Sequence, residues 1–437
     1  MSCRKPPATR RGNRPSTGSG HSFPQILSMR QRAGVIRRIL QKRLDTILPR
    51  VMREAGFDLW LLLCQEDDLD PVFTTLISMD TWCPILQMLI FYDRGRQEGV
   101  ECINISDTNT HDLYDRPYKG QLQEEQWPLL RKIIEDRDPK RIGINIGGVQ
   151  WAAGGLTHNL YEQLVEVLPP KYVARLASAE PLATRWLATL TDDEIELYEH
   201  VVNVAHHLLA ECYSHTSIIP GVTTIGDLEW TYWQRCADLG LQVSFKPFFD
   251  LIRSEAMKKR FGEKDRIIRP GDFIHSDVGI HYLRLHTDHQ QWAYVLRGGE
   301  DGALEGMKRL MAQANRLQNI FVAEFEQGLT GNELLENILT RARDEGILNP
   351  RVYSHSLGLF LHEPGPLIGL PWEQERCAGR GDVALEYNNC FAMELSVRGE
   401  VPEWDGQEVL MGLEEDVVFT RHGCRPIDGC QTEFYLV

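Results

Sequence analysis

The chain lacks any apolar run long enough to cross a bilayer, any CxxC pair, and any surplus of basic residues. Its longest apolar stretch, "PILQMLIFY" at 84–92, falls far short of the roughly 20 residues a spanning helix needs, so no membrane is expected as a partner. The net charge of -15 argues against nucleic acid. The one basic segment is the start, where Arg4, Lys5, Arg10, Arg11 and Arg14 lie among Pro, Gly and Ser. Without the apolar stretch of a secretory signal, residues 1–28 read as a disordered basic tail. The ten cysteines fall at irregular intervals, which fits free thiols in a reducing, cytoplasmic compartment. A Cys424–Cys430 disulfide is the minor alternative. What is present, 42% hydrophobic and 25% charged residues over 437 positions, is the composition of a soluble globular protein of more than one domain.

From residue 29 the pattern alternates. "RRILQKRLDTILPRVMREAG" has apolar residues at helical spacing and ends at Gly56, after which "FDLWLLLC" is a continuous apolar strand. Strands follow at "PILQMLIFYDRG", "VECINIS" and "RIGINIGG", with the helical "EEQWPLLRKIIEDRD" between the last two. This alternation predicts an α/β domain over 29–187. A second domain, 188–437, opens with the helix "LTDDEIELYEHVVNVAHHLLAECY", whose Thr191 and Glu194 form a capping box. His206 and His207 on it read as surface or packed histidines, because neighbouring side chains on a helix diverge. Two later segments, "PGVTTIGDLEWTYWQRCADLG" and "QGLTGNELLENILTRARDEG", echo each other and suggest two similar halves about a pseudo-twofold.

The second domain also places acidic and imidazole side chains in apolar or turn-like settings: Asp277 in "FIHSDVG", Asp288 in "LHTDHQQWAYV", His355 in "YSHSLGLFLHEPG", Glu394 in "CFAMELSV" and Glu414 in "GLEEDVVFT". Each alone has an ordinary explanation as a turn or strand-end residue. Four carboxylates and one imidazole together are a donor set for divalent ions such as Mn, Fe(II), Co or Zn, and are too oxygen-rich for a structural zinc site. Two ions sharing such a set would acidify a bridging water toward a pKa of roughly 7.

The order and spacing of these residues resemble metallopeptidase family M24, the pita-bread fold of methionine aminopeptidase, aminopeptidase P, prolidase and the non-metal creatinase. The aspartates lie eleven positions apart, "HSLGLFLHE" at 355–363 stands for the family's His-Gly-x-Gly-x-x-x-His-Glu, and "EEDVVFTRHG" at 414–423 stands for its closing Glu to Thr to Gly motif. The resemblance implies a creatinase-type α/β N-terminal domain followed by an α+β pita-bread catalytic domain. It implies two divalent ions, manganese ahead of cobalt, iron or zinc. Asp277 would hold one ion, Asp288 and Glu414 would bridge, and His355 with Glu394 would complete the other, a bridging hydroxide being the nucleophile. Glu394 would also take the proton of the attacking water, and His362 would donate to the substrate carbonyl oxygen. The implied substrate is a short peptide, Xaa-Pro bonds among them, and the implied assembly a homodimer. The alternatives are a lyase or non-peptide amidase on the same site, and a binding protein that kept the shell. Proline-reading positions depart from the family: Thr287-Asp288-His289-Gln290-Gln291 replaces Ser-Asp-x-Thr-Arg, Gly412 replaces an arginine, and "VSFKPFFDLIRSE" offers no histidine.

Overall fold

The computed structural model describes residues 23–120 and 125–437. Most of the basic segment, residues 1–22, lies outside the described residues. The rest of it, from Phe23 to Ser28, has no regular secondary structure and packs against the second domain: Phe23 meets the His207 ring at 6.0 Å, and the Leu27 amide donates to the Tyr282 hydroxyl at 2.8 Å.

In the N-terminal domain the elements are α1 (Met29–Ala55), β1 (Leu59–Gln65), α2 (Pro71–Thr75), β2 (Leu86–Asp93), β3 (Val100–Asn104), α3 (Gln126–Arg137), β4 (Ile142–Ile144), α4 (His158–Val167), α5 (Pro170–Val173), β5 (Leu176–Ser178) and α6 (Glu180–Ala188). The helix α1 begins earlier than its apolar periodicity suggests. Leu40, Leu44, Leu48 and Val51 form its buried stripe, and Gly56 ends it with φ 71°, a left-handed conformation that glycine adopts without strain. The sheet runs in the order β3-β2-β1-β4-β5, parallel only at β1–β4 and β4–β5. β1 lies at its centre with both faces covered, which is why its sequence reads as unbroken hydrophobic residues.

The second domain contains α7 (Asp192–Cys212), α8 (Ile225–Asp238), β6 (Gln242–Val243), β7 (Phe248–Ile252), α9 (Glu255–Phe261), β8 (Phe273–Val278), β9 (Ile280–Tyr282), β10 (Leu285–His286), β11 (His289–Tyr294), α10 (Glu305–Ala323), α11 (Gly331–Asp344), β12 (Arg351–Leu357), β13 (Leu367–Ile368), β14 (Asn389–Val401), β15 (Gln407–Thr420), β16 (Gly423–Pro426) and β17 (Tyr435–Leu436). Its main sheet has the order β13-β12-β14-β15-β11-β8-β7. Alternate residues of β15, Met411, Leu413 and Val417, pack with Leu317, Phe321 and Leu334 of α10 and α11. The sequence echo has a structural counterpart: α8 and α11 both start from a threonine capping box, Thr224 with Asp227 and Thr330 with Glu333.

The domains are fastened by a buried ion pair. Arg43 on α1 meets Glu194 on α7 at 2.9 Å, both side chains 2% exposed, and the same guanidinium donates to the Thr189 carbonyl. Among the described residues Cys424 is a free thiol, so the Cys424–Cys430 disulfide does not form. Among the described residues no helix is long and apolar enough to cross a membrane.

Candidate metal centre

Strand register assembles the site. Tyr353 pairs with Glu394, Glu394 with Glu414, Glu414 with Gln290, and Gln290 with Asp277, so five strands contribute one row of side chains across a single face of the sheet. His355 lies two positions beyond Tyr353 and therefore on the same face. The turn joining the two aspartates needs Gly279: a Cβ there would sit 2.0 Å from the Thr287 carbonyl oxygen. That close approach brings Asp288 beside Asp277.

Asp277, Asp288 and Glu414 each offer an oxygen within 4.8 Å of the others, and Asp288, His355 and His362 form a second such triplet. His355 Nε2 lies 3.5 Å from Asp288 Oδ2. Glu394 stands next to the first triplet, accepting from Gln290 Nε2 at 2.9 Å, while the same amide nitrogen is 3.5 Å from Asp277 Oδ2. All five donors anticipated from the sequence thus come together. His362 is exposed, its ring centroid 4.7 Å from that of His355.

The electrostatics of this group call for a cation. Burial, then the neighbouring Asp288, pushes the Asp277 carboxyl up to about 8; burial raises Asp288 to about 8. Glu394 rises to about 7 through burial, with Gln290 opposing and Asp288 and Asp277 reinforcing. Glu414 is driven well above the usual carboxylate range by burial and by its acidic neighbours. Asp277 Oδ1, Asp288 Oδ1 and Glu414 Oε1 are buried with no hydrogen-bond partner. Buried charges of one sign are tolerable only when protonated or balanced by positive charge, and acceptor oxygens lacking donors are what a divalent ion coordinates. The residues fit the ions that the donor set implies.

A cleft of about 1020 Å³ extends from the donors along the same face, lined by Tyr353, Glu394, Gln290, His275, Trp292 and Gly412 among others. A Cβ on Gly412 would lie 3.2 Å from Gln290 Oε1 and 3.7 Å from His275 Nε2, so this wall is already filled from the neighbouring strands. Partial burial of the ring lowers the His362 imidazole to about 4, with His355 and Arg380 adding to the effect, which leaves it neutral near pH 7. After His362 the chain turns through Glu363, ion-paired to Arg380, whose guanidinium stacks 4.6 Å over Trp151 of the N-terminal domain.

Three participants escape motif reading: Tyr353, His275 and Gln290 in its role as partner of Glu394. The available signal is the two-residue strand period, which puts Tyr353 on the face of His355 and His275 on that of Asp277.

A model of metallopeptidase family M24 matches residues 195–421. No curated protein sequence matches the chain. Among solved structures, X-Pro aminopeptidase from Thermotoga maritima is similar at 17% identity and TM-score 0.63, over 89% of this chain and 100% of that one. Xaa-Pro dipeptidase from Bacillus anthracis is similar at 17% identity and TM-score 0.58, over 93% of this chain and 100% of that one. Prolidase from Pyrococcus furiosus is similar at 15% identity and TM-score 0.57, over 88% and 100%.

Proposed function

The chain belongs to metallopeptidase family M24, and from that premise we propose that it hydrolyses an amide bond in short peptides, Xaa-Pro bonds among them, with two divalent ions held by Asp277, Asp288, His355, Glu394 and Glu414. The observation that carries this reading is the clustering of partnerless carboxylate oxygens beside a large cleft. When bound, the ions supply an acidified water and polarise the scissile carbonyl. The chain's own residues do the rest. Asp288 and Glu414 would contact both ions, with Asp277 holding one and His355 and Glu394 the other. The Glu394 carboxylate, steadied by Gln290, takes the proton of the water as it attacks. His362, neutral at physiological pH, donates an N–H to the carbonyl oxygen as negative charge grows there. The cleft walls orient the peptide, which lowers the entropic cost of attack.

Activity on Xaa-Pro dipeptides and on longer peptides, assayed with added Mn and again with chelator, tests the proposal. Metal-dependent cleavage of any of them supports it, and absence of cleavage across the panel contradicts it. A second reading, a lyase or a hydrolase of a non-peptide amide on the same centre, is favoured by Gly412, which leaves no side chain on that strand position to read a substrate terminus. Product analysis over a small-molecule amide library separates the two.

A further inference from the structure

A second group of polar side chains is buried behind the first. His206 on α7, His289 at the start of β11 and Glu415 on β15 are 2%, 1% and 1% exposed. His206 Nε2 lies 2.9 Å from Glu415 Oε2, His289 Nδ1 lies 3.5 Å from the same oxygen, and the three donor atoms fall within 4.8 Å of one another. The imidazole planes are tilted by 38° with centroids 4.5 Å apart.

The far sides of His206 and Glu415 are anchored by hydrogen bonds, and that of His289 lies near a carboxylate. His206 Nδ1 is 3.0 Å from Asp428 Oδ2, which itself accepts from Asn203 Nδ2. His289 Nε2 is 3.6 Å from Asp416 Oδ2. Glu415 Oε1 accepts from Gln291 Nε2 at 2.8 Å and from the Gln431 amide at 2.9 Å, which leaves Oε2 toward the histidines. Imidazoles backed by carboxylates on their outer nitrogens are the arrangement that fixes tautomer and ring orientation around a metal.

We propose that His206, His289 and Glu415 form a third cation site, distinct from the catalytic centre, that takes one zinc-type divalent ion. Two imidazole nitrogens and one carboxylate oxygen suit zinc, unlike the oxygen-rich set on the other face. Without an ion, His206 Nε2 and Glu415 Oε2 meet directly, and zinc would take the place of that hydrogen bond. The placement gives the ion a task. His289 follows Asp288, Glu415 follows Glu414, and the Asp288 amide donates to Asp416 Oδ1 at 3.2 Å, so an ion here stiffens the backbone that presents both bridging carboxylates.

The inference stands apart from the catalytic reading, and the test keeps them separate. In an Asp277→Asn/His355→Gln background the catalytic centre loses donors while the second group is untouched. After equilibration with zinc and dialysis, mass spectrometry is expected to count one zinc per chain in that background, and X-ray absorption to show two imidazoles on it. Adding His206→Gln or His289→Gln should remove the zinc, with circular dichroism confirming the fold. A background variant free of zinc, zinc that survives both histidine substitutions, or zinc without two imidazoles overturns the proposal. If the histidine variants fail to fold, the count and the absorption spectrum of the background variant still decide. Zinc in the unsubstituted chain that answers to His206 and not to Asp288 would sink the catalytic reading and leave this one standing.

Discussion

Glu414 and Glu415 are neighbours on one strand, each 1% exposed, yet their surroundings are opposite. Glu414 faces other carboxylates, has an oxygen with no partner, and is held far from its ordinary titration range. Glu415 accepts from Gln291 and Gln431 and lies against His206. On one face of the sheet several acceptor oxygens lack donors, whereas on the other Glu415 is supplied with them. A buried carboxylate is therefore no signature of function; what marks the site is acid without a donor, because only positive charge brought from outside can balance it.

The difference breaks most visibly at Glu414. Asp288→Ala and Glu414→Ala should each lose bound metal and turnover together, by more than about 100-fold, since even residues behind a metal's own ligands cost 10–100-fold. Metal content and kcat/KM measured on the same preparations check this, with circular dichroism showing an intact fold.

Glu194 supplies a third environment, a buried carboxylate balanced by Arg43. Arg43→Ala leaves that acid without its counterion between the two domains and should cost about 3–5 kcal/mol. Denaturant unfolding with and without Mn should show the same loss, because no proposed metal ligand is touched.

Titration sharpens the contrast further. Without metal, Asp277, Asp288 and Glu394 titrate near 7–8 in the folded chain and near 4 when unfolded. The folded state therefore binds more protons between these limits, and metal-free stability should fall as pH rises from about 4 to 8. Saturating Mn should flatten that slope. Unfolding free energies at several pH values, with chelator and with Mn, provide the comparison.

The smallest expected effect sets the neighbours directly against each other. In chelated protein at pH 8, Glu414→Gln should raise the unfolding temperature by removing one of several crowded acids, while Glu415→Gln should lower it, at a cost of about 1–3 kcal/mol, by disturbing a satisfied network. Equal signs would erase the distinction.

Local pattern makes part of this arrangement legible in the sequence. The eleven-residue spacing of Asp277 and Asp288 is a property of one hairpin, and the threonine-capped starts of α8 and α11 are written in four residues each. The continuous apolar run of β1 signals a strand covered on both faces. The rest depends on pairings that sequence does not encode nearby. Nothing in "GLEEDVVFT" tells which glutamate faces acids and which faces helix α7, since one position of register exchanges them. His206 finds Asp428 and Glu415 across more than 200 positions. The three-residue strand β5 is too short for periodicity to register, and the segment from Phe23 to Ser28 is held by contacts with α7, α8 and β9 that its own composition does not suggest.

The most direct test of a shared cation pocket is the shift in unfolding temperature between chelated and Mn-loaded protein, compared in the unsubstituted chain, Asp288→Asn and Glu414→Gln. Five converging donors predict a clear upward shift on loading that disappears in both variants. A shift of equal size in all three proteins, or none in the unsubstituted chain, would contradict it.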